Sequence, residues 1–277
     1  MTELGRALDP ENIMRPFPYR ILRITHETKA EFTFRVAFPY EVQFGQFCML
    51  SIPKIGEAPI SVSGTGEGFV EFTIRKVGRL TDGVFELREG STLYLRGPFG
   101  KPWPVEDVFA GINKTLVVIT GGTGLAPVRT TLNYFYHHPE RIGSLYLVSG
   151  FTDIDRVLFS EELAKWKENK KFHTIYTLDD TDCEGFERGM VTEHIGKIPF
   201  REFGEDYHVA IVGPPAMMRY SAMKCLECGV PEENIWFSFE RKMQCAVGKC
   251  GHCKVDETYV CLEGPVFRYD EAKGLFR

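Results

Sequence analysis

The chain has 277 residues, of which 43% are hydrophobic, and its 33 basic and 38 acidic residues leave a formal net charge of −5 at pH 7. A chain of this length exceeds the usual size of one domain, so more than one core is expected. The small negative charge offers no general attraction to nucleic acid. Residues 1–15 carry charges without an apolar stretch, and no run is long enough to cross a membrane, so a cytoplasmic location is expected.

The first part of the chain is predicted to form a β-barrel. Short runs rich in β-branched and aromatic residues alternate with glycine turns at residues 19–25, 31–38, 46–52, 60–63, 69–76 and 92–95. Short strands in this succession indicate a closed antiparallel barrel. A helix is predicted over residues 80–87, with Thr81 and Asp82 as candidates for its N-cap.

One strand of this barrel carries a row of hydroxyl groups. Ser61 and Ser63 alternate with Ile60 and Val62, so the two hydroxyls are expected on one face of the strand. Hydroxyls on an inward face need hydrogen-bond partners. Ser61 and Ser63 are therefore candidate ligand-binding residues.

A second candidate site lies where the barrel meets its helix. Arg75 ends a strand, Gly78 follows, and a helix begins near Thr81. The N-terminus of a helix with an arginine nearby can receive a pyrophosphate. The alternative is a plain strand-to-helix turn with solvated basic residues.

The middle of the chain is predicted to be a parallel α/β domain. The continuous apolar run 116–119 is typical of a strand covered on both faces, and it leads into the glycine-rich loop 121–127 and a helix at 128–136. Further strands are predicted at 144–149, 173–177 and 208–212, the last followed by Gly213, Pro214 and a helix at 216–228. Ligands of such sheets bind beyond the carboxyl ends of the strands, where both glycine loops fall. The first loop does not match G-x-G-x-x-G, yet strand, glycine loop and helix predict a phosphate-binding site.

Four of the eight cysteines lie close together near the C-terminus, at Cys245, Cys250, Cys253 and Cys261. The first three have the C-x4-C-x2-C spacing of plant-type [2Fe-2S] loops. Zinc is the main alternative, although structural zinc usually takes two C-x2-C pairs. Glycines at 248 and 251 allow backbone N–H groups to turn toward the sulfur atoms, which favours an iron–sulfur cluster.

The other cysteines are interpreted as inert thiols. Cys225 and Cys228 form a second C-x2-C pair, but they fall within the predicted helix 216–228, where this spacing puts both on one buried face. Without an export signal, Cys48 and Cys183 are expected to stay reduced. A ligand role for Cys225 and Cys228 remains the alternative.

Together these parts resemble the ferredoxin-reductase-like flavoproteins. The similarity is carried by residues 56–63, 74–78, 121–127, 240–253 and 263–267. Members with a C-terminal iron–sulfur segment include the electron-transfer subunit of dihydroorotate dehydrogenase, the gamma subunit of sulfhydrogenases and the flavoprotein subunit of anaerobic sulfite reductase. The chain is predicted to be of the last type. The dihydroorotate type typically has an arginine where Ala58 stands and a longer gap than the seven residues between Cys253 and Cys261.

The resemblance implies an α+β multidomain fold. A flavin-binding antiparallel barrel is expected at 15–110, a parallel α/β nucleotide-binding domain at 111–236 and a small iron–sulfur segment at 237–277. It also implies cofactor-binding roles for a set of residues: Pro59, Ile60, Ser61 and Ser63 at the flavin edge and its strand, Arg75, Gly78 and Thr81 at the FAD ribityl and pyrophosphate, and Gly121, Gly122, Thr123, Gly124, Gly213 and Pro214 at the nicotinamide nucleotide.

The implied activity is electron input. NADH gives a hydride to FAD, and single electrons leave through a [2Fe-2S] cluster held by Cys245, Cys250, Cys253 and Cys261. The implied partners are an iron–sulfur electron-transfer subunit and a sirohaem-type catalytic subunit that reduces sulfite to sulfide. An alternative of another class is a sensor that binds a nucleotide and zinc without turnover.

The choice of nucleotide is predicted from Asp179, which follows the strand 173–177. A carboxylate accepts hydrogen bonds from a free ribose hydroxyl pair but repels a 2′-phosphate, so NADH is expected to be preferred over NADPH. The alternative is that Asp179 and Asp180 belong to an acidic surface loop that points away from the nucleotide.

Overall fold

The computed structural model describes residues 12–276 of the chain. The stretch 1–11, on which part of the expectation about an export signal depends, lies outside the described residues, as does residue 277 of the predicted iron–sulfur segment. Within the described range one compact unit comprises residues 12–103 and 240–265, and a second comprises 104–239 and 266–276. The predicted segment 237–277 is therefore shared between the two units.

The first unit contains an antiparallel, barrel-like sheet. Its seven strands, in the order β4-β3-β7-β1-β2-β6-β5, are β1 Phe17–His26, β2 Glu31–Ala37, β3 Phe47–Ile52, β4 Gly56–Ser61, β5 Gly64–Gly66, β6 Phe69–Arg75 and β7 Thr92–Phe99. One helix, α1 Arg79–Phe85, follows β6. The predicted antiparallel fold of this part of the chain is confirmed.

The core of the barrel follows the period-two pattern of its strands. Phe34 and Val36 on β2, and Phe72 and Ile74 on β6, are almost completely buried in one hydrophobic cluster. The strand predicted at 60–63 lies earlier in the chain, at β4, and the backbone turns after it. Val62 donates its N–H to the carbonyl of the residue before β3, and Ser63 donates to a carbonyl of β6, so these two residues connect the β3 side of the sheet to β6.

The second unit contains a mainly parallel sheet with helices packed against it. Its strands and α-helices up to residue 238 are β8 Gly111–Gly121, α2 Ala126–His137, β9 Ile142–Phe151, α3 Ser160–Glu168, β10 Phe172–Leu178, β11 Glu187–Arg188, α4 Val191–His194, β12 Tyr207–Val212, α5 Pro215–Glu227 and β13 Ile235–Ser238. The strands pair in parallel, as the uninterrupted apolar runs predict. The strands predicted at 116–119, 144–149, 173–177 and 208–212 are all present.

The last part of the chain serves both units. The cysteine-rich segment of the first unit contains the small hairpin β14 Lys254–Val255 and β15 Thr258–Tyr259, followed by α6 Val260–Glu263. β16 Val266–Arg268 then pairs antiparallel with β13, and α7 Tyr269–Ala272 follows, which gives the second sheet the order β11-β10-β9-β8-β12-β13-β16. None of the helices in the described part of the chain is long and apolar enough to cross a membrane.

Candidate functional site

The cysteine-rich loop points backbone N–H groups at its sulfur atoms. Sγ of Cys245 accepts hydrogen bonds from the amides of Val247, Lys249 and Cys250, at 3.5, 3.3 and 3.4 Å. Sγ of Cys261 accepts one from Gly248 at 3.3 Å. Such donors stabilise negative charge on sulfur, which is the environment that iron–sulfur ligands require.

Three residues in the left-handed region of backbone space produce this arrangement. Gly248 and Gly251 have φ values of 70° and 72°, as expected for glycines that turn amides toward sulfur. Ala246 has φ 60°, an uncommon conformation for a residue with a Cβ. Sequence reasoning missed Ala246, because alanine carries no signal for a left-handed turn.

The thiols of the loop differ in their acidity. Burial raises the pKa of Cys245, but the amide donors and the neighbouring Cys250 thiol together lower it by more, so the pKa falls to about 7. Burial and the hydrogen-bonded thiol of Cys253 raise the pKa of Cys261 to about 12. Metal ligation needs thiolates, so Cys245 is better prepared than Cys261 to lose its proton.

The donor set fits an iron–sulfur cluster by its chemistry. Cys245, Cys253 and Cys261 are buried, Cys250 is exposed, and the thiols interact in the pairs Cys245–Cys250 and Cys253–Cys261. Among residues 12–276, no three His, Cys, Asp or Glu side chains are arranged to hold a metal ion. The fit rests on the chemistry of four cysteine thiols, three of which, Cys245, Cys250 and Cys261, accept hydrogen bonds from backbone amides.

The flavin-edge candidates lie on β4. Pro59, Ile60 and Ser61 are each partly exposed, and Pro59 and Ser61 pair with residues of β3. Ser63 is different, since it is fully buried. Its hydroxyl donates to the carbonyl of Glu71 at 3.2 Å and accepts from the hydroxyl of Thr73 at 2.8 Å. These partners satisfy Ser63 within the barrel, and its cofactor role stays a prediction.

The basic candidate at the end of β6 is held by a buried acid. Nε of Arg75 donates to Oε1 of Glu31 at 2.5 Å, and Glu31 is fully buried and also accepts from the hydroxyl of Thr28. A guanidinium held from one side can present its remaining N–H groups to a phosphate. Sequence reasoning missed Glu31, because a glutamate at the start of a strand is usually solvent-exposed.

The start of α1 corrects the predicted cap. Thr81 and Asp82 are not N-caps: the cap residue is Gly78, and the helix begins at Arg79. Thr81 is the third helical residue, and its hydroxyl accepts from the amides of Val77 and Gly78 at 2.9 and 3.0 Å. Gly78 and Thr81 therefore lie in one turn, next to the end of β6.

The two glycine loops of the second unit lie against each other. A turn of 3-10 helix, Gly122–Leu125, connects β8 to α2, and Val212 and Thr120 are paired at the ends of β12 and β8. A Cβ on Gly124 would lie 2.7 Å from the Cα of Gly213. Both predicted loops are thus at the carboxyl edge of adjacent parallel strands, where such sheets bind ligands.

Asp179 follows the carboxyl end of β10. Its amide donates to the carbonyl of Phe151 at 3.1 Å, and its side chain is partly buried. Burial raises the pKa of Asp179, and the charges of Asp180 and Glu193 raise it further. Glu193 belongs to α4, and no sequence pattern connected it with Asp179.

The second C-x2-C pair belongs to the second unit, whereas the cysteine-rich loop belongs to the first. Cys225 is fully buried in α5, burial raises its pKa, and Cys228 is the residue at the C-cap. Cys48 is likewise buried, with a pKa raised to about 12. The environments of Cys225 and Cys48 are those of inert core thiols.

Two family models match the chain. Residues 118–223 match the oxidoreductase NAD-binding domain, and residues 240–273 match the iron–sulfur cluster binding domain of dihydroorotate dehydrogenase B. The first match contains both glycine loops and Asp179. The second contains all four cysteines of the loop.

The chain is similar over nearly its whole length to subunits of known oxidoreductases. It is 34% identical to sulfhydrogenase 2 subunit gamma of Pyrococcus furiosus, with 94% of this chain and 97% of the relative covered. It is 33% identical to a probable dihydroorotate dehydrogenase B (NAD(+)) electron transfer subunit of Methanothermobacter thermautotrophicus, with 94% and 91% covered.

A solved structure shares the same fold. The chain superposes on the NADH-dependent reduced ferredoxin–NADP oxidoreductase with a TM-score of 0.75 and 25% identity, covering 91% of this chain and 88% of the other. The chain therefore has a ferredoxin-reductase-like fold, with a barrel-like antiparallel sheet, a mainly parallel sheet and a small cysteine-rich segment.

Proposed function

Because the chain belongs to the family of ferredoxin-reductase-like flavoproteins with a C-terminal iron–sulfur domain, together with sulfhydrogenase gamma and dihydroorotate dehydrogenase electron-transfer subunits, we propose that it is the NADH-oxidising input subunit of a larger complex. The observation that carries the proposal is that three backbone amides donate hydrogen bonds to Sγ of Cys245, inside the segment that matches the iron–sulfur domain. A loop built only for packing has no need of three donors on one sulfur atom.

The cofactors are FAD, NAD(H) and an iron–sulfur cluster, which the family models and the flavin-reductase relatives support. When bound, these groups supply hydride transfer between nicotinamide and flavin and one-electron transfer through the cluster. We assign Cys245, Cys250, Cys253 and Cys261 as the cluster ligands. Their spacing indicates a cluster of the [2Fe-2S] type.

The remaining residues bind and orient. Arg75, held by Glu31, would neutralise the FAD pyrophosphate beside Gly78 and Thr81. The two glycine loops, in contact at Gly124 and Gly213, would present their backbone N–H groups to the nucleotide phosphates at the carboxyl edge of the sheet. Pro59, Ile60 and Ser61 would line the flavin edge.

For the partner complex, we favour the sulfhydrogenase type. Two sulfhydrogenase gamma subunits of Pyrococcus furiosus are 34% and 32% identical to this chain, each covering 94% of it. The sequence-based assignment to anaerobic sulfite reductase has no support in the relatives described above, so its sirohaem-type partner stays a prediction, as does a cytoplasmic location. Ala58 and the short gap before Cys261 argue against the dihydroorotate type.

Isolation of the complex from its host tests this choice. The complex would be purified anaerobically through a tag on this chain, and NADH oxidation measured with protons or elemental sulfur, with orotate, and with sulfite as acceptors. Activity with protons or sulfur is expected. NADH oxidation coupled only to sulfite would restore the sulfite reductase assignment, and coupling to orotate would favour the dihydroorotate type.

A further inference from the structure

Arg96 is a fully buried arginine whose five N–H groups all have acceptors. Nε and Nη2 donate to the two carboxylate oxygens of Glu57 at 2.8 and 2.6 Å. Nη2 also donates to the carbonyl of Gln244 at 2.8 Å, and Nη1 to the carbonyl of Cys245 at 2.6 Å. The last N–H faces Sδ of Met14 at 3.8 Å. Arg96 therefore connects the carboxylate of Glu57 in the barrel to the start of the cysteine-rich loop, residues 244–253, hereafter the cluster loop.

The strand register explains why Glu57 is the partner. Arg96 on β7 pairs with Met49 on β3, and Met49 pairs with Pro59 on β4. Glu57 precedes Pro59 by two positions, so the two side chains share one face of β4. The guanidinium reaches across β3 to the strand that carries the flavin-edge candidates.

In the cluster loop, the carbonyl groups that face Arg96 and the amide groups that face sulfur come from different peptide groups. The carbonyls of Gln244 and Cys245 face Arg96, and the left-handed backbone of Ala246, with φ 60°, then reverses the chain. After the reversal, the amides of Val247 and Lys249 face Sγ of Cys245. Arg96 thus holds the carbonyls at the start of the loop in place, while the amides later in the loop donate hydrogen bonds to Sγ of Cys245.

We propose that Arg96 and Glu57 are a positioning pair that fixes the cluster loop on the flavin-binding strand and maintains the amide donors on Cys245. The inference rests on the cluster and flavin assignments of the proposed function. Glu57 compensates the guanidinium charge inside the protein, so the pair can hold two carbonyls without leaving an unpaired buried cation. Loss of the pair should loosen the loop and remove amide donors, which lowers the reduction potential of a cluster.

The test compares Arg96→Met and Glu57→Gln with Arg35→Met. Arg35 forms another arginine–glutamate pair of the same sheet, with Nε 2.9 Å from Oε1 of Glu71, and this pair joins β2 to β6 rather than to the cluster loop. Hydrogen exchange of residues 244–253 is followed by mass spectrometry in protein with and without reconstituted iron. We expect exchange in this segment to quicken by about tenfold or more in the Arg96 and Glu57 variants but not in the control.

The cluster midpoint potential, measured by redox titration with electron paramagnetic resonance, is the second readout. It should become more negative in both variants and stay unchanged in Arg35→Met, with FAD content preserved throughout. If Arg96→Met does not fold, Glu57→Gln and Arg96→Lys carry the same expectation. Wild-type exchange and potential in the variants that fold would overturn the inference, whereas a wild-type protein that takes up no cluster would instead overturn the proposed function.

Discussion

A Cβ atom built on Gly124 would stand 2.4 Å from the carbonyl oxygen of Val212. The glycine loop after β8 therefore touches the end of β12 without space for even a methyl group. Since backbone atoms cannot yield as the end of a flexible side chain can, a residue other than glycine must push the two loops apart.

We expect Gly124→Ala to raise the KM for NADH by about tenfold or more, because loop displacement would move the amides that we propose to bind the nucleotide phosphates. Gly196→Ala is the matched control, since a Cβ at Gly196 meets no atom within 4 Å. Steady-state reduction of a dye at varied NADH concentrations measures the effect. Equal KM values for the two variants would show that the contact between the loops has no part in nucleotide binding.

Replacement of one cluster ligand should separate iron from flavin. Cys250 is exposed, so Cys250→Ser should fold normally yet lose the iron–sulfur absorption, while FAD stays bound. Cys228→Ser, at a partly exposed cysteine outside the loop, is the control and should keep both groups. Iron, acid-labile sulfide and flavin analysis decide the matter, and full iron content in Cys250→Ser would remove Cys250 from the ligand set.

Asp179 and Glu193 together should exclude the 2′-phosphate of NADPH. We expect kcat/KM for NADH to exceed that for NADPH by about tenfold or more, the ratio that ~1.4 kcal/mol provides. Asp179→Ser should relax this preference, and Glu193→Gln should do so more weakly because its charge acts on Asp179 from α4. Asp182→Ser, at a more exposed acid of the same loop, is the control.

The same preference should depend on pH. The pKa of Asp179 is raised by burial and by like charges, so its carboxylate takes up a proton at a higher pH than an ordinary aspartate does. A neutral Asp179 does not repel phosphate, and discrimination should therefore fall as the solution is made more acidic. A preference that is constant with pH, or unchanged in Asp179→Ser, would mean that this residue does not face the ribose.

Basic residues beside the cluster loop should steer an acidic partner to the site where electrons leave. Lys249 is exposed next to Cys250, whereas Lys254 donates a hydrogen bond to Glu257 at 2.9 Å, so the positive charge of Lys254 is partly neutralised. Lys249→Glu should therefore slow electron transfer to the partner more than Lys254→Glu, and the loss should diminish at high salt. Lys167→Glu on α3 is the control. Parallel losses in transfer to the partner and in dye reduction would indicate damage to the loop instead.

The features that sequence reasoning identified are those encoded locally. The cysteine spacing, the glycine-rich loop after β8 and the apolar strands each occupy a few consecutive residues, so the sequence alone can predict what they do. The contact of Arg96 with the Cys245 carbonyl joins positions 149 residues apart. From the sequence around it, Arg96 would be interpreted as an ordinary solvent-exposed arginine on a strand. Glu31 was missed for a similar reason, since its partner Arg75 is 44 positions away.

The proposed function requires that NADH delivers electrons through this chain to an iron–sulfur cluster. Its most direct test is anaerobic titration of the purified protein with NADH, followed by absorption spectroscopy and by iron, sulfide and zinc analysis. We expect a yellow-brown protein that contains FAD, iron and sulfide, in which NADH bleaches the flavin and cluster absorption together. A colourless zinc protein that binds NADH without any spectral reduction would contradict it.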